Sequence, residues 1–495
     1  MNALSLTELQ AVNSFAALPA AFYTRLEPQG LNNPRLLHAN ADAAALIGLA
    51  PDALSTPEFL SVFSGAQPLP GGDTLAAVYS GHQFGIWAGQ LGDGRAHLLG
   101  EVQGPQGGWE LQLKGSGMTP YSRMGDGRAV LRSSVREYLA SEAMHGLGVP
   151  TTRALALVVS DDPVMRETVE TAAIVTRMSP SFVRFGSFEH WSSRRQPDML
   201  KTLADYVIDR YYPECRETAV GESGNETAPY INLLRAVTRR TALLMADWQA
   251  VGFCHGVMNT DNMSILGLTL DYGPYGFMDG FRLGHVCNHS DSEGRYSWNR
   301  QPSVALWNLY RLGGSLHMLV QDVEALRAVL DEFEAVFTRA FHDKMGAKLG
   351  LAAWQPADEA LLDDLLKLMD ANGADFTLTW RRLANALQGQ RRTFEDLFID
   401  RTAAADWLDR LLARQAQDGR PASEVIAGMN AVNPVYVLRN HLAEEAIRAA
   451  KTGDAGEIDT LMKLLRNPYV EQDGYERYAA LPPDWAGGIE VSCSS

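Results

Sequence analysis

Glycine-rich, β-like runs fill residues 60–180, and amphipathic helical periodicity takes over from about 195 to 480. Strand-forming segments followed by helix-forming ones, rather than alternating with them, predict an α+β protein: a β-rich N-terminal part, then a helical C-terminal part. A single compact core rarely grows past about 250–300 residues. A chain of 495 residues is therefore expected to divide into two lobes or domains. No internal repeat and no long low-complexity tract interrupts this plan. HLLGEV (97–102) and WELQLKG (109–115) read as strands joined by the turn signal GPQGG. In the second, Trp109, Leu111 and Leu113 point one way and Glu110, Gln112 and Lys114 the other. A helix is predicted over 128–145, stopped by Gly146, Gly148 and Pro150, and two strands over 153–159 and 171–178 around the turn Asp161-Asp162-Pro163. Downstream, the periodicity predicts a helix over 230–250, a loop, a short strand over 265–270, and helices over 303–322, 325–345, 357–371, 376–388, 403–417 and 433–450. The tail 467–495 reads as irregular.

Charge and cysteine usage narrow the function classes. With 59 acidic against 43 basic residues the net charge is −16. Non-specific binding to nucleic acid or to an anionic membrane needs a basic footprint, so neither partner is expected, although a local basic pocket for phosphates is still allowed. The four cysteines (Cys215, Cys254, Cys287, Cys493) form no CxxC and no Cys/His zinc spacing. No run reaches the ~18 apolar residues of a membrane span. The N-terminal residues lack the basic and apolar regions of a signal peptide and hold a single Arg, too few for a transit peptide. A cytoplasmic monomer is the expectation.

Chemistry-bearing residues recur in a definite order. GQLGDGR (89–95) places Gly89, Gly92 and Gly94 before Arg95 and a strand, a pattern that can bring backbone N–H groups close to phosphates; a plain glycine-rich hairpin is the competing reading. Lys114 lies on the polar face of its strand, and Glu137 follows 23 residues later in the next helix. A strand lysine paired with a helix glutamate is the phosphate-positioning pair of protein kinases. Taken singly, the two could equally be an exposed lysine and a solvated glutamate. Asp126-Gly127-Arg128 stands at the expected helix entrance, where N-termini attract anions and where Asp126 could also be an ordinary cap. Arg177 and Arg184 flank the turn MSPSFV and could clamp phosphate oxygens; taken alone they read more readily as surface arginines.

The loop HGVMNTDN (255–262) is the most specific feature. His255 and Asn262 keep the spacing of the kinase catalytic loop H-R-D-x-x-x-x-N. The usual catalytic Asp position is Val257, and Asp261 stands directly before the Asn. Asp271-Tyr272-Gly273 follows nine residues after Asn262, beyond the apolar run ILGLTL. Asn262 and Asp271 are hard oxygen ligands suited to a cation held against phosphates.

YSGHQFGIWAGQLGDGRAHLLGE (79–101), LKGSGMTPYSRMGDGRAVLRSSVREYL (113–139), HGVMNTDNMSILGLTLDYGPYGFMD (255–279) and CNHSDSEGRYSWNRQP (287–302) resemble the selenoprotein O (YdiU) family. The resemblance runs from about residue 20 through the C-terminal CSS. It implies a protein-kinase-like bilobal fold, with an N-terminal lobe over 1–185 and a helical C-terminal lobe, with extra helices, over 186–495. It also implies transfer of AMP, or UMP in some members, from ATP or UTP to hydroxyls of protein substrates, with the nucleotide inverted relative to ordinary kinases. Carried over, the nucleotide contacts are Gly92, Gly94, Arg95, Lys114, Asp126, Gly127, Arg177 and Arg184, with Asp271 also in the nucleotide site. Glu137 positions Lys114, Asp261 is the proton acceptor, and Asn262 and Asp271 hold Mg²⁺ or Mn²⁺. The family's selenocysteine, where present, lies in the last few residues, where Cys493 stands here. That points to redox chemistry there, with thiol redox proteins as further partners. Cys287 lies sixteen residues after Asp271 and Cys493 in an irregular tail, so a reversible Cys287–Cys493 disulfide is expected, with two unpaired thiols as the equally weighted competing reading. Two rival classes stay open: a true kinase moving the γ-phosphoryl group, and a nucleotide-binding pseudoenzyme, which Val257 favours.

Overall fold

A computed structural model describes residues 4–217 and 226–492. Its strands are β1 (Ala11–Val12), β2 (Tyr23–Arg25), β3 (Arg35–Ala39), β4 (Leu75–Gln83), β5 (Ile86–Gly92), β6 (Ala96–Gly104), β7 (Gly107–Lys114), β8 (Ala129–Val130), β9 (Arg153–Met165), β10 (Val169–Ser179), β11 (Phe253–Cys254) and β12 (Gly276–Phe277). The helices are α1 (Ala41–Leu46), α2 (Pro57–Phe63), α3 (Leu131–Gly146), α4 (Phe185–Ser193), α5 (Pro197–Tyr211), α6 (Ala228–Ala250), α7 (Gln301–Val320), α8 (Val323–Lys348), α9 (Asp358–Asn372), α10 (Phe376–Leu387), α11 (Arg392–Glu395), α12 (Arg401–Ala416), α13 (Ala422–Val432), α14 (Asn440–Ala450) and α15 (Gly456–Arg466). The β-rich N-terminal and helical C-terminal regions are those the sequence pattern predicts. Among the described residues no helix is long and apolar enough to cross a membrane.

The main sheet has the order β2-β4-β6-β7-β10-β9-β3, with β1 on β6, β5 on β4 and β8 on β10. Its ladders are antiparallel. Period-two alternation sorts its side chains onto two covered faces. Leu99, Leu111, Leu113, Leu155 and Ile174 pack with Phe59 and Phe63 of α2 and with Ala43 and Ala44 of α1. Leu98, Leu157, Val175 and Val159 belong to a second core that includes Val135 and Leu139 of α3 and reaches into α6, α7 and α14. A third core holds α8 to α13 together. The polar residues of β7 are buried on the α3 side, each with a partner: Glu110 accepts the Phe182 N–H at 2.8 Å, and Lys114 reaches Glu137.

Several boundaries differ from expectation. The helix predicted from 128 begins at Leu131, because Ala129 and Val130 pair with Ala173 and Ala172 as β8. The turn expected at Asp161-Asp162-Pro163 lies further on: β9 runs through it, Pro163 opposes Thr171, and the chain reverses at 166–168. The strand expected over 265–270 is irregular, with only isolated bridges from Ser264 to Arg184 and from Thr269 to Thr151. Gly267, at φ 69°, breaks the extended run, and its neighbours bond to the connections before α4 and β9 instead. The helix predicted over 433–450 starts at Asn440. Pro434 holds Asn433 in extended backbone, and Val435 bonds back to Pro468; the periodicity just before it belongs to a separate helix, α13.

α14 and α15 pack on α3. Gly146, the last residue of α3, makes the closest approach: a Cβ there would overlap the Leu465 carbonyl oxygen. Gly146→Ala would gain about 0.5–1 kcal/mol of helix propensity. It is nevertheless expected to destabilise the protein by about 1–3 kcal/mol, because the overlap is with backbone that cannot rotate away. A lower thermal midpoint checks this; an unchanged or higher one contradicts it.

Candidate active site

The β7–β10 register sets Lys114 opposite Val175 and Gln112 opposite Arg177, so the two cations share one face of the sheet. Lys114 Nζ lies 2.5 Å from Glu137 Oε2, and the second oxygen of Glu137 accepts from Arg177 at 3.3 Å. Arg177 also donates to Gln112 and to one oxygen of Asp271. Arg184, the residue that opens α4, donates to the other Asp271 oxygen and, at 2.8 Å, to the Asp261 carbonyl; its guanidinium lies 4.9 Å over the Tyr79 ring. The kinase-type lysine–glutamate spacing thus becomes a buried network of three cations and two carboxylates.

Electrostatics in this network follow from burial and pairing. Desolvation opposes ionisation of Asp271, but Arg184, Arg177 and Lys114 outweigh it and hold the carboxyl well below the usual range. Burial draws Lys114 below the ordinary lysine value while Glu137 pulls the other way. Asp271 adopts φ 58°, a left-handed backbone uncommon for a residue other than glycine, and this presents its carboxylate to both arginines.

Asp261 and Asn262 lie in a short 3₁₀ turn, Thr260–Asn262, facing β4. Asp261 Oδ2 accepts from Gln83 Nε2 at 3.1 Å, while the buried Oδ1 has no partner. Burial pushes the Asp261 carboxyl up to about 6, against the lowering influence of Gln83 and Arg184. Asn262 spends its amide N–H on the Val257 carbonyl at 3.0 Å, which leaves its oxygen for a cation. His255 fastens the two loops together: Nε2 bonds the Leu270 carbonyl at 2.9 Å, the Val257 N–H points to Nδ1 at 3.4 Å, and the ring stacks on Trp248. Burial lowers its pKa, in keeping with a neutral ring that donates once and accepts once.

A cavity of about 720 Å³ joins these groups. Gly92, Gly94, Arg95, Lys114, Asp126, Gly127, Arg177, Arg184, Asp261, Asn262 and Asp271 all line it, and Glu137 stands behind Lys114. Two of the expected local reasons differ. Gly92 and Gly94 have to be glycine because Tyr121 packs where their Cβ atoms would be, and the Asp93 and Gly94 N–H groups already bond Ala77 and Gly92 carbonyls. Asp126 neither caps α3 nor stands at its entrance: it accepts the Arg128 N–H at 2.9 Å and pairs with Arg166 at 2.7 Å. Gly127, at φ 70°, lies against the Gly117 backbone, where any Cβ would overlap. Arg128 lines the cavity but donates to the Gln29 carbonyl.

Sequence reasoning passed over Gln83, Asp93, Tyr79 and Asn259. Asp93 is a buried carboxyl raised by desolvation, bonded to the Ala77 N–H at 3.1 Å and to Gln112 at 3.2 Å. It sits inside GQLGDGR, so its place was marked although its role was not; Gln83 follows no spacing rule. Among the described residues no group of three or more His, Cys, Asp or Glu side chains could hold a metal ion. Cys254 is a buried core thiol. Cys287 Sγ donates to the Pro274 carbonyl at 3.0 Å, and Cys493, its expected disulfide partner, lies outside the described residues.

Comparison with known proteins gives a consistent result. A family model described as protein adenylyltransferase SelO matches residues 5–466. The chain is 77% identical over 497 residues, covering all of both proteins, to a protein named protein nucleotidyltransferase YdiU from Bordetella petrii. It is 54% identical to one of the same name from Dechloromonas aromatica, covering 98% of this chain and 97% of that one.

Proposed function

Because the chain belongs to the protein adenylyltransferase SelO family and is a protein nucleotidyltransferase, we propose that its cavity binds ATP or UTP and passes the AMP or UMP group to Ser, Thr or Tyr hydroxyls of proteins, releasing pyrophosphate. One observation carries this reading. Three buried cations, Lys114, Arg177 and Arg184, share a cavity with Asp261, a carboxylate with one unpartnered oxygen. Polyphosphate needs the first and an attacking hydroxyl the second.

Lys114, Arg177 and Arg184 hold the β- and γ-phosphates, and Glu137 keeps Lys114 in place. Arg95, Asp126 and Gly127 supply further contacts; Gly92 and Gly94 line the same cavity, where their missing Cβ atoms make room for Tyr121. Asp261 accepts the hydroxyl proton as the new bond to the α-phosphorus forms. Asn262 and Asp271 offer one amide oxygen and one carboxylate, a hard-oxygen pair that suits Mg²⁺ or Mn²⁺ once phosphate oxygens and water complete the shell. The cation, when bound, neutralises phosphate charge. Phosphate oxygens compete with Asp271 for Arg177 and Arg184, which frees its carboxylate. The Lys114–Glu137 pair and the His255 link to Leu270 support a protein-kinase-like arrangement, with lobes over 1–185 and 186–495, as part of this proposal. A monomer in the cytoplasm, where nucleoside triphosphates are plentiful, completes it, with regulation through thiol redox partners.

The test is incubation of the full chain, metal and protein substrate with triphosphate labelled at the α or the γ position. Protein-bound label from α alone supports the reading; label from γ alone means a kinase; no label from either, with nucleotide still bound, means a scaffold. Lys114→Met leaves Glu137 paired only to Arg177 and is expected to lower α-label transfer about 10²–10³-fold. Wild-type transfer in that variant would show that Lys114 does not touch the phosphates.

A further inference from the structure

β4 and β5 meet in a two-residue turn, Phe84-Gly85, closed by the Gln83–Ile86 pair. Phe84 has φ 50° and Gly85 φ 81°, so both central residues are left-handed. Such turns favour Asn-Gly, and a bulky side chain at the first position is disfavoured. The strain is held from outside the hairpin. The Phe84 N–H donates to Asn259 Oδ1 and to the Tyr296 hydroxyl, each at 3.0 Å, and a Cβ on Gly85 would lie 3.0 Å from Arg295 Cζ. Backbone strain maintained by surrounding structure points to a function for the residue that bears it.

That residue opens an exposed apolar tip: Phe84 is 37%, Ile86 74% and Trp87 41% exposed. Beside it His82 lies between the rings of Trp87 and Trp307, and the guanidinia of Arg295 and Arg311 stand 4.7 and 5.0 Å over Trp307. Among the described residues neither arginine has a carboxylate oxygen in salt-bridge contact, although the buried Glu189 carboxylate, bonded to His82 at 2.6 Å, lies close enough to Arg311 to feel its charge. The patch is continuous with the cavity, because Gln83 and Phe84 line it and Gln83 bonds Asp261.

We infer that this hairpin tip is the docking platform for the acceptor polypeptide: an extended segment that lays an apolar side chain on Ile86 and Trp87 and an acidic residue on Arg295 and Arg311, and so delivers its hydroxyl to Asp261. The inference rests on the proposed transfer to protein hydroxyls. Charge selects the acidic occupant. A chain of net charge −16 repels acidic segments over most of its surface; Arg295 and Arg311 beside the hairpin, two cations against the nearby carboxylate of Glu189, are a local exception.

The experiment uses the full chain and fluorescent Ser-, Thr- and Tyr-containing peptides whose flanking residues are acidic or basic, with polarisation to read binding and α-label to read transfer. Ile86→Glu and Arg311→Glu are exposed changes outside the nucleotide machinery. Each is expected to lower kcat/KM for the acidic-flanked peptides roughly tenfold or more, through KM. Affinity for ATP should not change. Phe84→Asn should keep or raise the thermal midpoint while weakening peptide binding. Equal kcat/KM in wild type and both variants, or a preference for basic flanks, overturns the platform. So does a wild-type dimer, seen by light scattering, that Ile86→Glu dissolves, since the tip would then bind a second copy. Acidic-peptide binding that depends on Ile86 and Arg311, without transfer of α-label by wild type, would keep the platform and reject the transfer reading.

Discussion

Asp271→Ala is expected to remove protein-directed transfer of α-label altogether, a loss beyond about 10³-fold, at saturating metal. The carboxylate does two jobs in the proposed site: it offers an oxygen to the cation, and it faces both Arg177 and Arg184. Removing one member of a buried ion network leaves the others uncompensated, commonly at about 3–5 kcal/mol. Alanine at φ 58° adds a further ~1–2 kcal/mol of backbone strain. Part of the loss in this variant would therefore be loss of fold. Asp271→Asn removes the backbone part of that loss, because Asn tolerates the left-handed backbone, and its single oxygen still accepts from one of the two arginines. It is expected to keep the wild-type circular dichroism spectrum and to lose transfer at least ~10²-fold. Unchanged α-label incorporation in folded Asp271→Asn would rule out the metal role.

Asp261→Asn is expected to slow transfer by about 10²–10⁴-fold with nucleotide binding largely intact. The amide keeps the shape, and its oxygen can still accept from Gln83 in place of Oδ2. It cannot take a proton from a hydroxyl. The affinity of the variant for ATP, measured by calorimetry, decides how the loss is assigned. Binding that collapses in parallel with the rate would mean that Asp261 is structural or a metal ligand. Transfer at the wild-type rate would mean that the hydroxyl needs no acceptor there.

The chain's own pattern determined what depends on neighbours in sequence. Alternation in WELQLKG separated Leu111 and Leu113 from Gln112 and Lys114, and the β-sheet preserves that division. The intervals between Lys114 and Glu137, and between His255, Asn262 and Asp271, were legible because strand, helix and loop each fix a local rise and direction. Tertiary structure alone decided what depends on register and contact between distant segments. Ala129 and Val130 join a sheet, rather than a helix, because β10 offers them partners, and 265–270 makes only an isolated bridge to Thr151 because Gly267 breaks its extended run. Gln83 reaches Asp261 across 178 residues, and Arg177 and Arg184 reach Asp271 across 94 and 87. Such pairings arise from packing summed over the whole core, so no spacing rule encodes them. Desolvation is likewise a property of the assembled cavity: it raises Asp261 while the arginines lower Asp271, and so sets apart two aspartates that look equivalent in the sequence.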